Sequence, residues 1–191
     1  MRRESTARVY DDPVRIPDLN TDRLLLRRWS PDDAPFAFAL YSQWEVQRFL
    51  GRAPRVMTDP AEAETLVRRL RRREDAHRAY RVVALADGGE AVGTVMLQPL
   101  PASGPAEPLR PSGDTEIGWH FHPVHWGHGY ASEAAGALLQ AALDGGLPRV
   151  LAVTYPDNAA SQRVCERIGM RSLGSSDAYY NSTMELFERT A

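Results

Sequence analysis

Lysine is absent from this chain, and cysteine occurs once, as Cys165. All 23 side chains of the Lys/Arg class are therefore arginine, a bias we ascribe to GC-rich coding rather than to a binding requirement. A lone thiol has no partner for an internal disulfide. That fits a reducing compartment, and the cytoplasm is the expected location. No apolar run approaches the roughly 20 residues that span a bilayer. The N-terminal MRRESTARVYDDPVRIPDL lacks the apolar core of a signal peptide, so neither membrane insertion nor secretion is expected. Charge of one sign is not in excess either: 23 basic against 25 acidic groups leave a formal net charge of -2. Nucleic acid is thus not an expected partner.

What is present reads as one domain. The 191 residues, 43% of them hydrophobic, suffice for a single sizeable core. Residues 1–20 read as a polar arm and 21–191 as the folded unit. Residues 23–29 (RLLLRRW) suit a first strand. Ser30, Pro31 and Asp33 then make a helix start, with Ala37, Leu40, Tyr41 and Trp44 at inward spacing. The same design recurs at Asp59, Pro60 and Glu62, with Ala63, Leu66, Val67 and Leu70 inward. The arginine run 68–73 falls on the polar side of that helix beside Glu62, Glu64, Glu74 and Asp75, and reads as a solvated face.

Residues 80–86 and 91–98 are apolar or β-branched runs separated by DGGE, the pattern of a hairpin. Residues 99–113 (PLPASGPAEPLRPSG) are too rich in proline, glycine and serine to predict a packed element, and read as a mobile loop. Strand character returns at 115–121. A helix follows over 130–144 with Ala131, Ala135, Leu138, Leu139 and Ala142 on one stripe, ended by Gly145 and Gly146. RVLAVTY is a strand. Residues 158–168 form a last helix with Ala160, Val164 and Ile168 inward and Gly169 at its left-handed end, and MELFE is the closing strand. Strands followed by helices in this order predict an α/β (α+β) fold, a mixed sheet with helices on its faces.

The chemistry concentrates at HWGHGYASEAA, residues 125–135. A strand, a short turn with Gly127 and Gly129, and then a helix leave a fan of backbone N–H groups at the positive end of a helix dipole. His128, Gly129, Tyr130 and Ala131 would aim their amides at an anion, phosphate being the natural guest. By itself the pattern also fits glycines that only make a turn.

Together with RVLAVTYPDNAASQRVCERIGM downstream and TDRLLLR upstream, the stretch EIGWHFHPVHWGHGYASEA resembles the GNAT N-acetyltransferase superfamily, and within it the RimJ/RimL branch. The resemblance covers roughly residues 20–190. It implies a single GNAT-like domain whose central mixed sheet has two splayed parallel strands. It further implies acetyl-CoA as cosubstrate, its pyrophosphate on the turn at Gly127, His128, Gly129, Tyr130 and Ala131. Pantetheine would lie in a slot between the strand ending at Phe121 and His122 and the strand at 150–154, where Asn158 and Ser161 would meet it. His128 stands where lysine is common, a peripheral change if backbone amides do the binding.

Acyl transfer from a thioester to an amine needs a neutral nitrogen, donors for the oxyanion and a proton for the leaving thiolate. For the base, Glu116, His120 and His122 compete, all on one strand face by alternation. Glu116, acting through a water, is preferred. The carboxylate that many relatives carry on the next strand falls at Val153, which raises the standing of His120. Ser161 is the candidate acid, with Cys165 second; Tyr179 and Tyr180 are candidates for the acceptor mouth. Four histidines, His120, His122, His125 and His128, invite a zinc reading, but no thiolate or second cluster accompanies them and no metal is expected. The implied activity is acetylation of a primary amine, a protein N-terminal α-amine or a small molecule. The alternative is a non-catalytic acyl-CoA sensor with the same fold. A homodimer is left open.

Overall fold

The computed structural model describes residues 16–73 and 78–191. In chain order its elements are β1 (Leu19–Asn20), β2 (Leu24–Arg28), α1 (Ala34–Tyr41), α2 (Trp44–Gln47), α3 (Pro60–Arg72), β3 (Ala79–Leu85), β4 (Ala91–Pro101) and β5 (Pro111–Phe121). After these come α4 (Tyr130–Asp144), β6 (Arg149–Thr154), α5 (Ala159–Arg167), β7 (Arg171–Ser176) and β8 (Met184–Thr190). The strands form one eight-stranded sheet in the order β1-β2-β3-β4-β5-β6-β8-β7. The only parallel neighbours in it are β5 and β6, paired at a single position, Glu116 against Leu151.

Two cores flank this sheet. On one face Ala134, Leu138, Leu139 and Val164 of α4 and α5 pack on Val95, Ile117 and Val150. On the other, Ala37, Leu40, Ala63 and Val67 of α1 and α3 pack on Tyr80, Val82 and Met96. Each large side chain buried this way contributes about 1.5–3 kcal/mol before entropy is counted. The even-numbered side chains of β5 therefore share the α1/α3 side with Met96, and the odd-numbered ones the α4/α5 side.

Local chemistry explains the helix starts. Ser30 accepts the Asp32 N–H, and Asp33 accepts the Ser30 N–H at 2.7 Å while holding Arg27 by two bonds of 2.7 and 2.8 Å. Through that reciprocal cap a 3-10 turn at Pro31–Asp33 runs into α1. At α3, Asp59 accepts the Ala61 N–H at 2.9 Å, but Glu62 reaches Thr58 N–H rather than the cap residue.

Several expectations need correction. Trp44 is 52% exposed, because extended Gln43 breaks the helix and starts α2. Ala160 is exposed rather than inward. The polar arm does not extend to residue 20: Ile16 joins the core, and Leu19 pairs with Leu26. Residues 1–15, and Glu74 and Asp75 of the supposed polar face, lie outside the described residues. β1 and β7 have no counterpart in the sequence reading. β7 (RSLGSS) is polar because it is an edge strand with little to bury.

The largest difference is the segment 99–113. Its two ends extend β4 and β5, and Leu100 is fully buried. The connection docks on the C-terminal segment. Ser103 N–H donates to Ala178 O at 2.8 Å, and Gly104 exchanges bonds of 2.7 and 3.0 Å with the Asn181 amide. Composition spoke for a loose loop because these partners are some 75 residues away, beyond any local pattern.

Candidate active site

The glycine turn stands between β5 and α4. Gly127 and Gly129 have φ of 82° and 81°, and a side chain at Gly127 would meet nothing within 4 Å. The left-handed backbone, not lack of room, is what calls for glycine there. Gly129 is the N-cap and offers no side chain to the helix end. Glu133 N–H is the first to find a helical acceptor, Gly129 O at 3.1 Å. The amides of Tyr130, Ala131 and Ser132 thus lack helical partners and remain available to an anion.

This turn is clamped from the start of the sheet. Glu133 accepts Thr21 Oγ1 at 2.6 Å, Arg23 N–H at 3.1 Å and Arg23 Nε at 2.8 Å, and Arg23 also reaches His128 O at 3.0 Å. Arg23 lies over the Tyr130 ring, 4.9 Å from its centroid. In the sequence TDRLLLR and YASEA stand more than 100 residues apart, and no local pattern joins them. What the sequence reading missed is that Thr21, Arg23 and Glu133 brace one turn.

Past the Glu116–Leu151 pair the two parallel strands part, and a cavity of about 1040 Å³ opens at the fork. Glu116, His120, Phe121, Gly127, Gly129, Tyr130, Ala131, Asn158 and Ser161 all line it. His122 and His128 do not. His122 caps the 3-10 turn after β5, and His128 stacks on Tyr130 with its Nδ1 3.0 Å from Trp126 O. This corrects the side-chain role expected of His122, while the backbone role expected of His128 needs no place for its ring in the cavity. His122 also leaves the face expected for it, since β5 ends at Phe121.

Glu116 is the best-developed group in the cavity. Only 7% of its surface is exposed. Gln98 Nε2 donates to its Oε1 at 2.6 Å, and Tyr180 Oη donates to the same oxygen. Oε2 is left without a donor among the described residues. Burial pushes the carboxyl pKa up to about 7, against the two hydrogen bonds, which favour the charged form. Tyr80 Oη donates to Gln98 Oε1 at 3.3 Å, which orients the amide. The tyrosine that serves Glu116 is itself held in an unusual backbone, with Tyr180 and Asn181 at φ of 59° and 51°. Such conformations persist only where the surroundings enforce them. Here the Asn181–Gly104 bonds do so.

His120 sits on the same face, deep in the protein yet with some surface open to the cavity. Its Nδ1 lies 3.0 Å from Tyr41 Oη. Burial lowers its pKa to about 4, so the ring is neutral near pH 7 and weakly basic. Burial in turn raises the Tyr41 phenol.

Asn158 Oδ1 caps α5 by accepting the Ser161 N–H at 3.2 Å, and the residue lines the cavity. Ser161 is half-buried there. Cys165 is fully buried, outside the lining, and its thiol is pushed up to about 12 by burial. It packs as a small apolar side chain. Of the two adjacent tyrosines only Tyr180 reaches the cavity; Tyr179 donates to Asp114 at 2.8 Å instead.

Two lining hydroxyls, Ser132 Oγ and Thr154 Oγ1, are buried without a hydrogen-bond partner among the described residues. Orphaned donors beside a ready anion site fit a polar, phosphorylated ligand such as acetyl-CoA. Among the described residues no group of three or more His, Cys, Asp or Glu is placed to hold a metal ion, and no helix is long and apolar enough to cross a membrane.

These features, a sheet forked at one parallel pair and a glycine turn feeding a helix beside a buried carboxylate, define an acyl-CoA-dependent transferase architecture. The family model for the acetyltransferase (GNAT) domain matches residues 23–171, and the chain belongs to that family. The uncharacterized N-acetyltransferase YoaA of Bacillus subtilis (strain 168) is 31% identical over 161 residues, 83% of this chain and 85% of that protein. Among solved structures, a GNAT-family acetyltransferase from Bacillus anthracis superposes with a TM-score of 0.68 at 25% identity, covering 90% of this chain and 95% of its own. RimL, a ribosomal-protein alpha-N-acetyltransferase solved with coenzyme A, shares the fold at a TM-score of 0.70 and 19% identity, over 93% of this chain and 98% of that one. Acetyl transfer from acetyl-CoA to an amine is the general chemistry of this family.

Proposed function

We propose that this protein transfers the acetyl group of acetyl-CoA to a primary amine by direct attack within a ternary complex, with Glu116 as general base. The observation that carries this reading is a buried carboxylate with one free oxygen and a pKa of about 7, set where β5 and β6 part. A base poised near neutrality can take a proton from the incoming ammonium, directly or through a water, and release it again. The neutral nitrogen then attacks the thioester carbonyl. The C–N bond forms, the C–S bond breaks, and the surplus proton on the attacking nitrogen passes through Ser161 Oγ or water to the departing thiolate, so that amide and free thiol leave.

His120 is the weaker candidate, since a neutral ring that resists protonation gives little driving force for proton abstraction. For the cosubstrate, the amides at Gly129, Tyr130 and Ala131 would hold the pyrophosphate. Asn158 Nδ2 and the unpaired edges of β5 and β6 would meet the pantetheine amides. His128 would contribute only through its backbone.

The acceptor is a protein N-terminal α-amine or a small-molecule amine. The RimL likeness in fold favours the former, and the cytoplasm, where such acceptors reside, is the proposed location. Thiol release from acetyl-CoA, measured across an amine panel that includes peptides with free N-terminal alanine or serine, tests the proposal. Release above the amine-free rate is expected. If acetyl-CoA raises the melting temperature but no amine provokes release, the catalytic reading falls.

A further inference from the structure

The arginine run of α3 divides in two. Arg68 turns to Thr65 on its own helix, 3.4 Å away, and Arg71 and Arg72 complement the helix C-terminus away from the cavity. The arginines of the run are all exposed, as a solvated face should be, but Arg69 and Arg73 also line the cavity. Neither makes a hydrogen bond or ion pair with a described residue. Arg69 lies in the last turn of α3 and Arg73 is its C-cap, four residues on, so both side chains leave the same end of the helix.

The same wall carries the base. The positive charge of Arg69 is felt at the hydroxyls of Tyr41 and Tyr80, and that of Arg73 at Tyr80. Tyr80 is the first member of the chain through Gln98 to Glu116. Of the other cations on this side, Arg52 pairs with Glu107 at 3.0 Å, Arg48 lies over the Phe49 ring at 4.4 Å, and Arg78 is also felt at Tyr80. Among the described residues the acids that line the cavity are Glu45, Glu116 and Asp157. Leu66, Leu70 and Met96 complete the wall and reduce the local dielectric.

Two guanidinium groups without a partner among the described residues would repel an acceptor that was only a cation. We infer that the acceptor is a primary amine that also carries an anionic group, a carboxylate or a phosphate, and that Arg69 and Arg73 form the subsite holding that group while the amine reaches Glu116. Guanidinium forks suit both anions. This inference rests on the proposed acetyl transfer for its geometry, but its own claim is about binding.

The test uses matched pairs: the dipeptide amides Ala-Glu and Ala-Gln, and phosphoethanolamine against ethanolamine. Turnover is measured with the wild-type protein and with Arg69→Gln/Arg73→Gln. Binding of the same four compounds to the CoA-saturated protein is measured by calorimetry. The acidic member of at least one pair should be preferred about 10- to 100-fold, mainly through KM, as one or two charge-assisted hydrogen bonds would give. The preference should shrink with added salt and vanish in the double variant, whose melting temperature still rises with acetyl-CoA. The dipeptide and phosphoethanolamine arms tell carboxylate from phosphate. If no compound is acetylated but an acidic one binds the wild type and not the double variant, the subsite stands and the catalytic proposal falls. If neither pair is discriminated in turnover or binding, or the preference survives in the double variant, the subsite is overturned.

Discussion

Replacing Glu116 by glutamine should leave a pH signature in stability as well as in rate. Folded Glu116 keeps its proton to about pH 7, whereas the unfolded reference lies at 4.5. Between those values the native state binds more protons than the unfolded one, so stability falls as pH rises through the window. Its contribution is complete below the unfolded value and lost above about 7. A shift of this size corresponds to about 3 kcal/mol. Glu116→Gln cannot ionise, so its stability relative to the wild type should be flat in acid, climb through the window, and level off about 3 kcal/mol higher. For a domain of this size that amounts to about 6–12 °C in melting temperature. Urea titrations of both proteins from about pH 4 to about pH 8.5 read it directly. Over the same range kcat should fall by about 10²–10⁴ and the acid limb of kcat/KM should disappear, with acetyl-CoA affinity kept. A stability difference that does not change with pH would refute the buried, proton-holding carboxyl. Unimpaired turnover would refute its role as base.

Gly129→Val should abolish the melting shift caused by acetyl-CoA, because a β-branched residue at φ of 81° cannot hold the turn; undiminished CoA binding by a folded variant would move the phosphate site elsewhere. Tyr180→Phe removes one of the two donors to Glu116 Oε1. The carboxyl should rise further, displacing the acid limb of kcat/KM upward by roughly one pH unit, and an unmoved limb would count against the contact. Exchanging residues 102–110 for a short glycine-serine link should lower the melting temperature and raise the acceptor KM, since Ser103 and Gly104 anchor the segment that carries Tyr180. A silent exchange would return this segment to the dispensable loop its composition implies.

Much of this was legible along the chain because its causes are local. The Ser30–Asp33 cap, the start of α4 at Tyr130 and its end before Gly145 each depend on neighbours within a turn or two, and periodic apolar spacing fixed the buried stripes of α3 and α4. Gly127 and Gly129 marked the anion turn for the same reason: a left-handed backbone is written in the residue type. Glu116 could be preferred from the sequence, but strand alternation puts it on one face with His120 and His122. What separates them is non-local. Gln98 and Tyr180 come to Glu116 from 18 and 64 residues away, Tyr41 comes to His120 from 79, and the end of β5 at Phe121 removes His122 from the face. Likewise nothing local places Arg69 and Arg73 of the exposed arginine run at the cavity, or the proline-rich connection before β5 against the C-terminal segment. Local backbone preference is set by the residues themselves. Burial, protonation and the pairing of polar groups are set by whichever distant chain the fold lays against them, and that only the tertiary structure decides.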